Sequence, residues 1–108
     1  MPTYMLQAAY TSDAWAAQIK NPQNRIEAIR PLVEGLGGKI VGAWNSFGDY
    51  DIVIILDMPD NTAIAAASIA ASAGGAIKAI NTTPLMTIEE GLEAMKKAGG
   101  AGYRPPGA

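Results

Sequence analysis

An α+β domain with the element order β-α-β-β-α-β-α is what this sequence predicts, and three observations predict it. A hairpin signal, SFGDYDIVIILD over residues 46–57, sits in the middle of the chain. A helical stripe precedes it and an alanine-rich segment follows it, each lying between strand-like stretches. A last amphipathic segment, TIEEGLEAMKKAGG, carries its own start and stop signals after the fourth strand.

Residues 3–10, TYMLQAAY, mix aromatic and aliphatic side chains and read as the first strand. A helical region in two pieces follows. Ser12 or Asp13 is expected to cap the first piece, which ends near Lys20. Asn21-Pro22 reads as a cap followed by proline at the first helical position of the second. Ile26, Ile29, Val33 and Leu36 then recur at helical spacing, with Pro31 inside the stripe expected to kink or split it. Gly37-Gly38 supplies a stop.

Residues 39–47 and 50–58 read as the two strands of a hairpin turning at Gly48-Asp49. A two-residue loop puts Phe47 opposite Tyr50, Asn45 opposite Ile52 and Trp44 opposite Val53. One face then holds Val41, Ala43, Asn45, Phe47, Tyr50, Ile52, Ile54 and Leu56. The other holds Ile40, Gly42, Trp44, Ser46, Asp51, Val53, Ile55 and Asp57. Pro59-Asp60 opens a helix over 61–73, whose many alanines permit close approach to a sheet. Residues 76–83 form the fourth strand, ended by Pro84. Thr87 and Glu90 have capping-box spacing, and Ile88, Leu92 and Met95 share one stripe of the last helix. Its acidic residues precede its lysines, as the helix dipole favours. Residues 1–98 are thus expected to form one domain and 99–108 a Gly/Pro-rich tail, with Tyr103 and Arg104 able to dock on the domain or a neighbour.

This order is the ferredoxin-like plan, with two crossover helices on one side of a four-stranded sheet. Both hairpin faces carry large apolar groups, so the second sheet face needs cover as well. A partner chain placed face to face, as in dimeric α/β barrels, provides it. The expected state is therefore a homo-oligomer, at least a dimer.

Composition narrows the chemistry. The net charge of −2 and scattered basic residues give no footprint for nucleic acid. No apolar run approaches the roughly 20 residues a membrane helix needs, and no signal peptide is visible. Cysteine is absent, which removes disulfides and thiolate chemistry and favours a cytoplasmic location. Histidine is absent too, so imidazole metal sites and Ser-His or Cys-His pairs cannot occur within the chain. A general base would have to be a carboxylate, Lys or Tyr, or belong to a bound cofactor. No metal or cofactor is implied.

Tyr10-Thr11, Asn21-Pro22 with Arg25, Leu36-Gly37-Gly38-Lys39, Phe47-Gly48-Asp49-Tyr50-Asp51 and Thr82-Thr83-Pro84-Leu85 follow one another in the chain. Together these pieces resemble the GYD domain family over most of the sequence. The resemblance implies a small α/β protein of ferredoxin-like or dimeric-barrel-like build and brings no settled activity. The chain departs from the family pattern at Ser12-Asp13-Ala14-Trp15, at Asp57 and at Pro31.

The candidate ligand-binding residues are Trp15, Arg25, Trp44, Ser46, Asp51 and Thr82. Asp51 is the best candidate for a catalytic base, set against a structural role at the hairpin end, which the sequence favours. The tryptophans suit a planar ligand or a core, and Arg25 suits a carboxylate or phosphate or plain solvent. Tyr4, Tyr10 and Tyr50 admit the same two roles. The glycine pairs lack nucleotide-loop spacing, and Glu89, Glu90 and Glu93 read as a solvated helix face. The reading is an oligomeric small-molecule-binding or assembly module. A cofactor-independent oxygenase or isomerase with Asp51 as base is the alternative, and a purely structural subunit the third class.

Overall fold

Alternation along Thr3–Tyr10 (β1) sends Tyr4, Leu6, Ala8 and Tyr10 to one side, and all four are buried. The computed structural model describes residues 1–107; Ala108, the end of the expected tail, lies outside the described residues. The remaining elements are Ser12–Lys20 (α1), Arg25–Gly35 (α2), Lys39–Asn45 (β2), Ile52–Asp57 (β3), Asn61–Ala73 (α3), Ile77–Leu85 (β4) and Ile88–Gly99 (α4). The strands form a single antiparallel sheet in the order β2-β3-β1-β4, compatible with the ferredoxin-like plan.

The core lies on one sheet face. Ile52, Ile54, Leu56 and Met58 from the β3 side meet Val33 of α2 and Ile64 and Ala67 of α3. Leu56 and Met58 are the largest fully enclosed side chains. Alanines at 63 and 67 let α3 sit close to the sheet, where the Ser68 and Thr82 hydroxyls pair at 3.1 Å. The Tyr4 hydroxyl donates to the Asn61 side chain at 2.5 Å, tying β1 to the start of α3.

The hairpin register agrees with the alternation near its tip: Trp44 pairs with Val53 and Asn45 with Ile52. Two parts of that expectation are corrected. The strands stop at Asn45 and Ile52, so residues 46–51 form the loop, and Phe47 does not pair with Tyr50. Ser46 takes over the closure, donating its backbone N–H to the Asp51 carbonyl at 3.0 Å and its hydroxyl to the Tyr50 carbonyl at 2.8 Å. At the other end a bulge falls at Val41, so Ile40, not Val41, faces Leu56. The bulge turns Val41 outward and brings Ile40 against the core. A second irregularity skips Lys78 in β4, pairing Tyr10 with Ile77 and placing Ile77 beside Ile80 on the core side. Both bulges lie on edge strands, where they discourage open-ended pairing.

Helix ends also differ from the sequence expectation. Thr11, not Ser12 or Asp13, caps α1 by accepting from the Ala14 N–H at 3.1 Å. Asn21 closes α1, and Asn24 opens α2 through the Ile26 N–H at 3.0 Å, so Asn21-Pro22 is a connection. Pro31 neither splits nor ends α2, which runs unbroken to Gly35. Both Pro31 and Glu27, whose carbonyl loses its partner, are exposed, so water can serve that carbonyl. Gly37, at φ 85°, follows as the left-handed residue of a Schellman motif. Its N–H bonds the Glu34 carbonyl and the Gly38 N–H bonds that of Val33, at 3.0 and 2.9 Å. Pro84 lies within β4 and does not end it, which an edge strand tolerates because one of its sides needs no donor.

The opposite sheet face carries Met5, Gln7, Trp44, Val53, Ile55 and Thr83, and none of them joins the core. Helix α4 has the expected capping box on Thr87 and Glu90 but contributes nothing to the core either. The molecule measures 58 × 33 × 22 Å. Its radius of gyration of 17.4 Å exceeds the roughly 13 Å of a compact domain this long. Tyr103 is exposed, and no hydrogen bond joins it to the domain among the described residues.

Candidate functional site

Tyr10 ends β1 and is the hub of the site. Its ring is buried and meets Trp15 of α1 edge to face, with centroids 5.3 Å apart at 80°. Burial raises the phenol above its ordinary pKa, because the phenolate would lose its hydration. The nearby Arg25 cation pulls the other way, and the charge of Asp51 adds a smaller upward push. Arg25 is the first residue of α2, so the connection after α1 delivers this guanidinium to the end of β1. The ion pair among the described residues is Arg30–Glu27 at 3.1 Å, which leaves the Arg25 guanidinium without a carboxylate.

Asp51 reaches the same corner from the hairpin. Its backbone N–H donates to the Ala8 carbonyl at 2.8 Å, and its carboxylate accepts the Tyr10 N–H at 2.9 Å. The residue therefore carries the β1–β3 pairing one step past the end of β3, with a side chain completing what the backbone began. This is a structural task, and it holds the carboxylate at the mouth of a cleft.

That cleft, of about 730 Å³, runs between edge strand β2 and the start of α2. Trp15, Arg25, Trp44, Ser46 and Asp51 all line it, together with Tyr10. Thr82 does not: it lies on β4 and is held by Ser68 of α3. Trp44 is 60% exposed, with its indole laid over Gly42, where a Cβ would stand 2.8 Å from the ring. Phe47 at the hairpin tip is fully bare. Sequence reasoning gave Tyr10 no special weight and passed over Gln18, Gln23 and Asn24, which also border the cleft. The signal for Tyr10 was its place at a strand end, a large ring whose hydroxyl needs a partner once buried.

The cleft thus offers two guanidiniums, Arg25 and the Glu27-paired Arg30, two carboxylates, Glu27 and Asp51, one phenol and two indoles. Among the described residues no group of three metal-ligating side chains occurs, and no helix is long and apolar enough to cross a membrane. The fold and site define a small α+β domain with a four-stranded antiparallel sheet and an open aromatic cleft at one sheet edge. The chain matches the model of the GYD domain over residues 4–95 and belongs to that family. Among curated proteins nothing matches it.

Proposed function

We propose that the chain is a homodimeric small-molecule-binding module, taking an anionic ligand with a flat apolar part into the β2–α2 cleft. The observation that carries this is the Arg25 guanidinium, which lines the cleft with Tyr10 and Trp15 and is in no ion pair among the described residues. A guanidinium with a neighbouring phenol suits a carboxylate or phosphate, and the indoles suit a planar body. The bare apolar sheet face supports a second copy, sheet against sheet, in the manner of a dimeric α/β barrel. A cytoplasmic setting suits a chain with no cysteine. Use of Asp51 as the base of a cofactor-independent enzyme has less support, since that carboxylate already serves the Tyr10 N–H.

Benzoate and its neutral counterpart benzamide are the probes, read by tryptophan fluorescence. Benzoate should bind in about the millimolar range expected of so small a ligand, and Arg25→Gln should weaken it at least about tenfold. Benzamide should bind weakly to both forms. Equal binding of the two probes, or none by either, would overturn the proposal.

A further inference from the structure

Two surfaces of this chain are apolar and unmatched, and they do not meet each other. The first is the stripe of α4, where Ile88, Leu92 and Met95 are 79%, 51% and 69% exposed. The second is the outer row of the β2 hairpin, Val41, Trp44 and Phe47. Helix α4 is well formed locally, with a capping box at its start and lysines in its last turn. A helix of its 12 residues is nevertheless marginal in water without tertiary packing. Its stripe therefore needs a surface, and its own domain supplies none.

From these observations we infer that α4 is an arm that seats on the β2 row of a second copy of this chain, completing the cleft with residues of both subunits. This rests on the dimer reading above and goes further. A two-fold axis parallel to the strands, with the sheets overlapping over β3, β1 and β4, lays the β4 edge of one beside the β2 edge of the other. Only Met86 and Thr87 separate β4 from α4, so α4 is delivered to that edge. There the partner's Val41, Trp44 and Phe47 stand uncovered.

The area required agrees. With β2 reserved for the arm, the other three strands offer about 330 Å² per subunit from strand spacing and rise, so the apposed sheets bury about 660 Å². That is below the roughly 1,200–2,000 Å² of stable interfaces. Seating both arms, each with a footprint of about 18 by 10 Å, brings the total to about 1,400 Å², within that range. The cleft would then be walled on its open side by the partner's α4.

The chain contains no cysteine, which permits a clean cross-linking test. One population carries Leu92→Cys and the other, distinguished by mass, Val41→Cys. Mixed and oxidised, they should yield a heterodisulfide pair, above the level given by either population alone. In parallel, Leu92→Glu with Met95→Glu should weaken dimerisation at least about tenfold in sedimentation equilibrium, with the sheet signal in circular dichroism unchanged. A wild-type dimer that gives no heterodisulfide and tolerates both glutamates would overturn the arm while leaving the apposed sheets standing. A wild-type monomer would overturn the arm and the dimer together. Benzoate binding by the wild type is read separately, so failure of the ligand reading is distinguishable from either.

Discussion

The Asp51 carboxylate accepts the Tyr10 backbone N–H at 2.9 Å, joining the hairpin loop to the end of the first strand across 41 residues of sequence. The same residue donates its own N–H to Ala8 at 2.8 Å. Asp51 is thus a strand residue on its backbone side and a strand substitute on its side-chain side. This double attachment fixes the position of Tyr10, and through Tyr10 the packing of Trp15 and the approach of Arg25.

A graded response at this position follows. Asp51→Asn keeps an oxygen able to accept from Tyr10 and should cost well under about 1 kcal/mol, whereas Asp51→Ala leaves that N–H unpaired and should cost about 1–3 kcal/mol. Urea denaturation measures both. Equal losses for the two variants would show that charge, not hydrogen bonding, is what matters there.

The turn between α2 and β2 admits only glycine at its second position. A Cβ on Gly38 would lie 2.8 Å from the Asp57 carbonyl and 3.1 Å from Val33, and would collide with the Met58 sulfur. The Asp57 carbonyl belongs to the sheet and cannot withdraw, and Met58 is fully enclosed. Gly38→Ala should therefore destabilise by about 1–3 kcal/mol or more through overpacking. Gly91→Ala, in an open helical position with nothing near, should stabilise slightly, by about 0.4–1 kcal/mol. Thermal melts of the pair give the contrast.

What the sequence made legible was local. Helix α3 starts at an aspartate cap and α4 at a capping box, and both were readable because cap and helix lie within four residues of each other. The hairpin register was readable near its tip for the same reason. The bulges at Val41 and Lys78 were not, because their cause lies in the sheet they edge, not in neighbouring residues. Pro84 looked like a stop and is a strand residue only because β4 lies at an edge. The candidate site shows the same division. Residue type pointed to Trp15, Arg25, Trp44, Ser46 and Asp51, which the fold brings to one cleft, and to Thr82, which it does not. Nothing in the periodicity of α4 distinguishes a helix seated on its own sheet from one left bare.

Trp44 illustrates how exposure changes an expected cost. A fully packed tryptophan would cost about 3–5 kcal/mol on truncation. Here the ring is 60% exposed and rests on Gly42 at an edge strand. Trp44→Ala should cost the monomer only about 1 kcal/mol, in proportion to the smaller area it withdraws from water. Gly42→Ala should lift the indole off the strand, since the added Cβ would sit 2.8 Å from its rim. A red shift of the tryptophan emission with little change in stability is the expected signature. An unchanged spectrum would mean that the ring does not rest there.

The buried phenol of Tyr10 gives stability an alkaline dependence of definite sign. Its pKa is raised in the folded state, chiefly by desolvation, above the ordinary value of 10.0. The native state then holds this proton more tightly than the unfolded state. Stability from this source is complete below about pH 10, the unfolded value, and declines as pH rises through the folded value. Tyr10→Phe removes the titration and should melt at a temperature that falls less steeply above pH 10 than the wild type's. Subtracting the two curves isolates the contribution of Tyr10. Arg25→Gln removes the cation that favours the phenolate, so it should raise the Tyr10 pKa further and extend the decline to higher pH, with the same onset. A decline unchanged in that variant would mean that the charge of Arg25 does not act on Tyr10.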